Sequence, residues 1–292
     1  MDRIHFPEQV WEDIIILESE GRFAMVDTGN PSSADRVVSY LRALGAKSLD
    51  FIILTHFHSD HFGACEGIAQ QLPVARIYSK TYSGCDAVGD GGQTYADVDR
   101  ARRIEEYAAM LQRLGAYASV CEITPQTAAL TLGNMVLTLY NKDNIVWRLF
   151  NDPTENPYYH RYEFNENNNS CVVHVQTVHG GSALLCSDCY DEPLRYAPGA
   201  HMITQIAQAL RAPVDVLKMV HHGCGDFITE QAARLLTPAY AVVSRDTADQ
   251  ALFAKLLQYA PGMQTIFCTG GTHIFTLDAP GQSTHTFLPH KM

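Results

Sequence analysis

The chain has 292 residues, 46% of them apolar, and a formal net charge of −11. That is ample apolar material for a packed core, and the acidic balance argues against broad binding to nucleic acid or an anionic membrane, which both need clustered Lys and Arg. No apolar run approaches the ~20 residues needed to cross a bilayer, and Met1–Pro7 lacks the basic start and apolar segment of a signal peptide, so the chain as it stands reads as soluble and cytoplasmic.

From the N-terminus, Ile14–Leu17 and Phe23–Val26 flank Ser19-Glu20-Gly21 and predict a hairpin that ends at Asp27-Thr28-Gly29. Ala34 to Leu44 has helical apolar spacing, with Gly45 as its stop. Phe51–Leu54 reads as a strand, Gly63–Leu72 as a helix and Val74–Tyr78 as a further strand. Thr81–Thr94, rich in Gly, Ser and Asp, reads as a loop or lid, and Tyr95–Leu114 as the clearest helix of the chain. Short strands follow at Ala118–Cys121, Ala129–Leu132 and Met135–Tyr140.

Asn141–Asn169 breaks the pattern, being polar and aromatic at once, and reads as an insertion-like loop. Ser170–Val178 and Ser182–Cys186 predict a hairpin around His179-Gly180-Gly181, delivering Asp188 to a strand end. Helices are expected at His201–Leu210, Glu230–Leu236 and Asp249–Tyr259, and strands at Val214–Val220, Tyr240–Val243, Thr265–Cys268 and His273–Leu277. The alternation favours a layered α/β architecture in one domain spanning residues 1–292. Eight cysteines are too sparse for a disulfide-stapled scaffold, and Cys186-Ser187-Asp188-Cys189 ends a strand where a redox motif would open a helix.

The chemistry concentrates in Thr55-His56-Phe57-His58-Ser59-Asp60-His61, where four potential metal ligands follow an apolar strand within six residues. So short a segment cannot offer all four to one tetrahedral ion, but it can divide them between two. His56 and His58 would hold one ion, Asp60 and His61 its neighbour. Neutral imidazole and carboxylate suit zinc first, with manganese or iron as alternatives.

This motif resembles the signature of the metallo-β-lactamase superfamily. With Asp13–Ser19, Phe23–Gly29, Leu49–His56, Asn169-Ser170, Asp188 and His221-His222, the chain is similar to the phosphorylcholine esterases that trim teichoic acids. The resemblance implies a four-layer αββα sandwich, Asp188 bridging two divalent ions, and a third-strand histidine completing the site of Asp60 and His61. Neighbours on an extended chain point opposite ways, so one of the adjacent histidines is expected to ligate, and the resemblance implies His221. Asp60 and His222 are the catalytic candidates, His222 as proton donor or phosphate contact.

Asp27 is expected to support a ligand histidine or order the loop, the alternative being a turn residue that caps the next helix. Many superfamily members supply a third histidine to the first ion where this chain has Asn167-Asn168-Asn169-Ser170, and the esterase group shows a similar Asn-Ser. Asn169 is placed behind the ligands on that ground. The function implied is hydrolysis of a small-molecule or cell-wall phosphodiester by a metal-bridging hydroxide. A nuclease-like hydrolase related to DNA-uptake proteins, a thioester or lactone hydrolase, and a non-catalytic metal-binding module are the alternatives. Trp147, Tyr158 and Tyr159 of the insertion are candidates to contact a choline group through their ring faces.

Overall fold

A computed structural model describes residues 1–82, 97–143, 166–191, 201–225, 228–247 and 250–290. The chain opens with β1 (Asp2–Phe6), the hairpin β2 (Ile14–Ser19) and β3 (Arg22–Thr28), then β4 (Ile52–Leu54), β5 (Arg76–Ser79) and β6 (Ser119–Glu122). A second set follows: β7 (Leu130–Leu132), β8 (Met135–Tyr140), β9 (Val172–Thr177), β10 (Ser182–Leu185), β11 (Val216–Lys218), β12 (Tyr240–Val243) and β13 (Gln264–Phe267). The last strands, β14 (Gly271–Thr276) and β15 (Thr284–Pro289), return to the first sheet. Its order is β15-β14-β1-β2-β3-β4-β5-β6, and that of the second is β13-β12-β11-β10-β9-β8-β7.

Both sheets are mixed. β3 to β6 are parallel neighbours in one, and β10 to β13 in the other. Parallel strands are covered on both faces, which is why Ile52-Ile53-Leu54 and Val216-Leu217 read as unbroken apolar runs. Ile53, Val26, Leu185 and Val216 meet between the sheets, in a core to which both contribute.

The outer faces carry helices. Ile14, Ile16, Ile52 and Ile77 pack under α1 (Ala34–Ala43), α3 (Cys65–Gln71) and α4 (Asp97–Leu114). On the far side Leu184, Leu217 and Val243 pack under Met202–Leu210, Glu230–Leu236 and Gln250–Tyr259. The result is the four-layer αββα arrangement. In α1, Val37, Val38 and Leu41 form the buried stripe that the helical spacing predicts.

Three elements differ from the sequence reading. Asp2–Phe6 and Thr284–Pro289 are strands that the pattern did not reveal: the first is short and buries two polar side chains, Asp2 and His5, that break any apolar alternation, and the second is an edge strand with most residues exposed. The helix expected over Gly63–Leu72 is α3, and a separate helical turn that was not expected, α2 (Ser59–Phe62), precedes it inside the histidine motif. No helix among the described residues is long and apolar enough to cross a membrane.

Candidate metal centre

The parallel strands of the two sheets point their carboxyl ends to one place, where ligands collect in α/β folds. Thr55, just past β4, ties the ends together. Its hydroxyl lies 2.7 Å from the Ser187 hydroxyl beyond β10, and its carbonyl accepts from Cys171 N–H at 2.9 Å. His56 and Asp188 thereby face each other across the gap between sheets.

Asp188 Oδ2 is the centre of the group. It lies 3.3 Å from His61 Nε2, and 3.8 Å from both His56 Nε2 and His222 Nε2. His56 Nε2 and His58 Nδ1 are 3.0 Å apart, and Asp60 Oδ2 is 3.1 Å from His222 Nε2 and 3.6 Å from His61 Nε2. Ligand atoms about 2.1 Å from a tetrahedral zinc lie about 3.4 Å from one another, so these separations match a shared ion. Two sets form around Asp188: His56 with His58, and His61 with His222 and, within 4.8 Å, Asp13.

Asp13 and Asp60 both approach the second set, and their surroundings divide the roles. Asp13 is fully buried and engaged: Oδ1 accepts from Ser244 Oγ at 2.6 Å and lies 3.2 Å from His222 Nδ1, while Oδ2 lies 2.5 Å from Lys218 Nζ. Asp60 faces His61 and His222 from the open side, with 29% of its side chain exposed. The geometry suits Asp60 as ligand and Asp13 as the group that orients His222.

Asp27 plays the same part for His61. Its carboxylate accepts from Thr55 N–H at 2.9 Å and Thr55 Oγ1 at 2.7 Å, and lies 2.8 Å from His61 Nδ1. The chain leaves Asp27 at a positive φ of 57°, and at Gly29 a β-carbon would meet Glu12 Oε2 at 2.5 Å. Only glycine fits that close turn. Asn169 donates to the Thr81 carbonyl at 2.8 Å and to Glu166 Oε1 at 2.9 Å, bracing the segment that leads to Cys171.

The adjacent histidines correct the expected assignment. His222 stands in the cluster, whereas His221 Nε2 is 3.9 Å from Asp188 Oδ2, its side chain 26% exposed and its Nδ1 3.3 Å from the Tyr190 hydroxyl. The expectation assumed an extended chain. Here both residues have left-handed backbones, φ 45° and 56°, so alternation does not govern where they point.

Burial disfavours charge on every group, and neighbours decide the outcome. Against burial, Asp188 and Asp27 hold His61 well above the usual imidazole range, and Asp188 and Asp13 push His222 up to about 9. His56, buried beside His61 and His58, falls well below it. Asp188 is held well below the carboxylate range by His61 and His222. The cluster gathers charge that protons partly balance without metal.

The residues fit a metal pair on a second ground: His61 Nε2 and Asp188 Oδ1 are buried without a hydrogen-bond partner. An unpaired buried polar atom is costly, and a cation supplies what hydrogen bonds do not. His56 and His58 with Asp188, and Asp60, His61 and His222 with Asp188, are the residues that would hold the two ions.

Residues 12–98 match the metallo-beta-lactamase superfamily, taking in Asp13, Asp27 and the whole histidine motif. The chain resembles the solved metallo-beta-lactamase fold protein YhfI of Bacillus subtilis, with a TM-score of 0.52 and 12% identity over 94% of this chain and 100% of that one. This is a metallo-β-lactamase fold. A CmlA beta-hydroxylase aligns with a TM-score of 0.54 and 14% identity, over 94% of this chain and 54% of its own. A curated relative, the uncharacterized protein YobT of Bacillus subtilis, is 32% identical over 72 residues, 25% of this chain and 30% of its own length. The metallo-β-lactamase fold thus carries a hydroxylase too, and the reaction has to be argued from the site.

Sequence reasoning missed Lys218, Ser187, Ser244, Tyr190 and Trp11. Lys218 had a signal, a lone cation inside the apolar run Val216-Leu217-Lys218-Met219-Val220. Trp11, 47% exposed with φ 56°, sets its ring 6.0 Å from that of His222, and Arg245 stacks 4.5 Å over it. His273 stacks on His285 in the β14–β15 ribbon, away from the ligand histidines. The sulfurs of Cys186 and Cys189 are buried free thiols, and burial pushes the latter up to about 12, far from a reactive thiolate. Trp147, Tyr158 and Tyr159 lie outside the described residues, as does the 83–94 part of the expected loop or lid.

Proposed function

We propose that this protein is a hydrolase working with two divalent metal ions, zinc first, and that it acts on phosphodiesters. The observation that supports it is one buried carboxylate, Asp188, set between two groups of imidazoles at ligand-to-ligand spacing. Two such ions supply Lewis acidity and an activated water at neutral pH, so no serine or cysteine nucleophile is needed. Asp27 and Asp13 fix the ring orientations of His61 and His222, and Thr55 and Ser187 hold His56 from behind through Nδ1, at 3.2 and 3.4 Å. His221, at the open edge beside Tyr190, is placed to contact the substrate or pass a proton to the departing oxygen.

The phosphodiester reading draws on the first metal group. His56, His58 and Asp188 are its three His or carboxylate ligands among the described residues, which leaves positions for phosphate oxygens. Phosphorylcholine esters of a cell-wall polymer are the version that the sequence resemblance favours. The test is a turnover panel on zinc-loaded protein with phosphodiesters, phosphomonoesters, lactones, a thioester and single-stranded DNA. Preference for a lactone or thioester would sink the phosphodiester reading, and inactivity on all of them would leave a metal-binding module.

A further inference from the structure

The metal centre opens sideways into a cavity of about 520 Å³ between the histidine motif and α4. His58, Ser59 and Asp60 form its inner end. Phe57 and Phe62 stack, ring centroids 4.1 Å apart and planes 14° from parallel, and Phe57 packs against Tyr82 at 4.9 Å and Tyr107 at 4.2 Å. Phe62, only partly buried, and Met110 line the cavity with Phe57 and Tyr82. The volume lies in the range of small-molecule pockets, which are mostly apolar with a few polar groups.

The histidine motif explains why the pocket adjoins the metals. Phe57 and Phe62 alternate with ligands His56, His58 and His61, so the segment that aims imidazoles at the ions aims rings at the neighbouring space. On α4, Arg102, Glu106, Met110 and Arg113 fall at spacings of four, four and three residues and share one face. Arg102 meets Glu106 at 3.4 Å with both side chains more than half exposed, and Arg113 meets Glu66 at 3.1 Å. With Arg113 paired to Glu66 and Arg102 to Glu106, the rim groups carry no net charge, Asp60 being turned to the metals.

We infer that this cavity is the substrate-specificity pocket, and that it takes an uncharged apolar group, aryl or short alkyl, attached to the phosphoryl group held at the metals. The inference rests on the metal-hydrolase reading. A ring or alkyl group against Phe62 removes apolar surface from water, while the rim offers no carboxylate surplus to a cation.

The test uses zinc-loaded protein and non-hydrolysable phosphonates, with affinities measured by calorimetry. Phenylphosphonate should bind at least tenfold tighter than methylphosphonate, and Phe62→Ala should bring that ratio close to one. Phe62→Leu, which keeps an apolar side chain in α2, should retain an intermediate ratio and guards against loss of folding in the alanine variant. Equal affinity in the wild type, or a preference that both variants keep, overturns the pocket. So does tighter binding of 2-(trimethylammonio)ethylphosphonate than of its neutral 3,3-dimethylbutyl counterpart. Failure of the underlying reading looks different: the protein would take up no zinc and bind none of the phosphonates, and both proposals would fall together.

Discussion

Lys218 Nζ lies 2.5 Å from Asp13 Oδ2 with both side chains fully buried, and the other oxygen of Asp13 faces His222. The ion pair is thus one step behind the metal cluster. Against burial, Lys218 and His222 hold Asp13 far below the carboxylate range, and Asp13 helps raise His222. Removing one partner of a buried pair leaves an uncompensated charge and costs about 3–5 kcal/mol. Lys218→Met should therefore lower the melting temperature sharply, and adding Asp13→Asn should recover part of the loss. If the double variant melts below Lys218→Met, the pair is not what stabilises this end of the sheet.

The bridging role assigned to Asp188 predicts metal content. Asp188→Asn should bind fewer than two metals per chain and lose most activity, since a neutral amide bridges two cations poorly. Elemental analysis beside turnover decides it: two bound metals with normal rates would end the bridging role.

How much of this was legible in the sequence follows from where each residue lies. His56, His58, Asp60 and His61 sit in one short segment, and Asp188 and the histidine pair end apolar runs, so strand ends and ligands were visible together. The choice between His221 and His222 was not. It depends on two left-handed residues in a row, which no apolar pattern signals. Asp13 and Lys218 are 205 positions apart and belong to different sheets, and only the packing of the two sheets shows that they meet. The edge strand β15 escaped because its side chains are mostly exposed and carry no alternation.

The two histidines should separate in mutants. His222→Ala removes an imidazole 3.1 Å from Asp60 Oδ2 and should cost bound metal, whereas His221→Ala should keep both metals and slow turnover. If His221 passes a proton, the slowing grows with the basicity of the leaving group. Metal loss in His221→Ala alone would reverse the assignment.

Metal removal should expose the charge balance of the cluster as a pH dependence of stability. In metal-free protein His222, raised from the ordinary 6.5 to about 9 by Asp188 and Asp13 against burial, binds its proton more tightly folded than unfolded. That stabilisation is fully present below about pH 6.5 and is lost as the pH rises through about 9. His61, raised by Asp188 and Asp27 against burial, acts in the same sense. Asp188, held low by His61 and His222, contributes in the opposite window: its share is present above the ordinary carboxylate value and lost as the pH falls below it. Metal binding replaces the imidazole protons, because a ligating ring must be neutral. Melting temperatures from pH 6 to 10 should therefore fall more steeply in chelator than with zinc bound, and the gap between the curves should widen toward alkaline pH. Parallel curves would mean that protons and metal do not compete for His61 and His222, and would remove those rings from the ligand set.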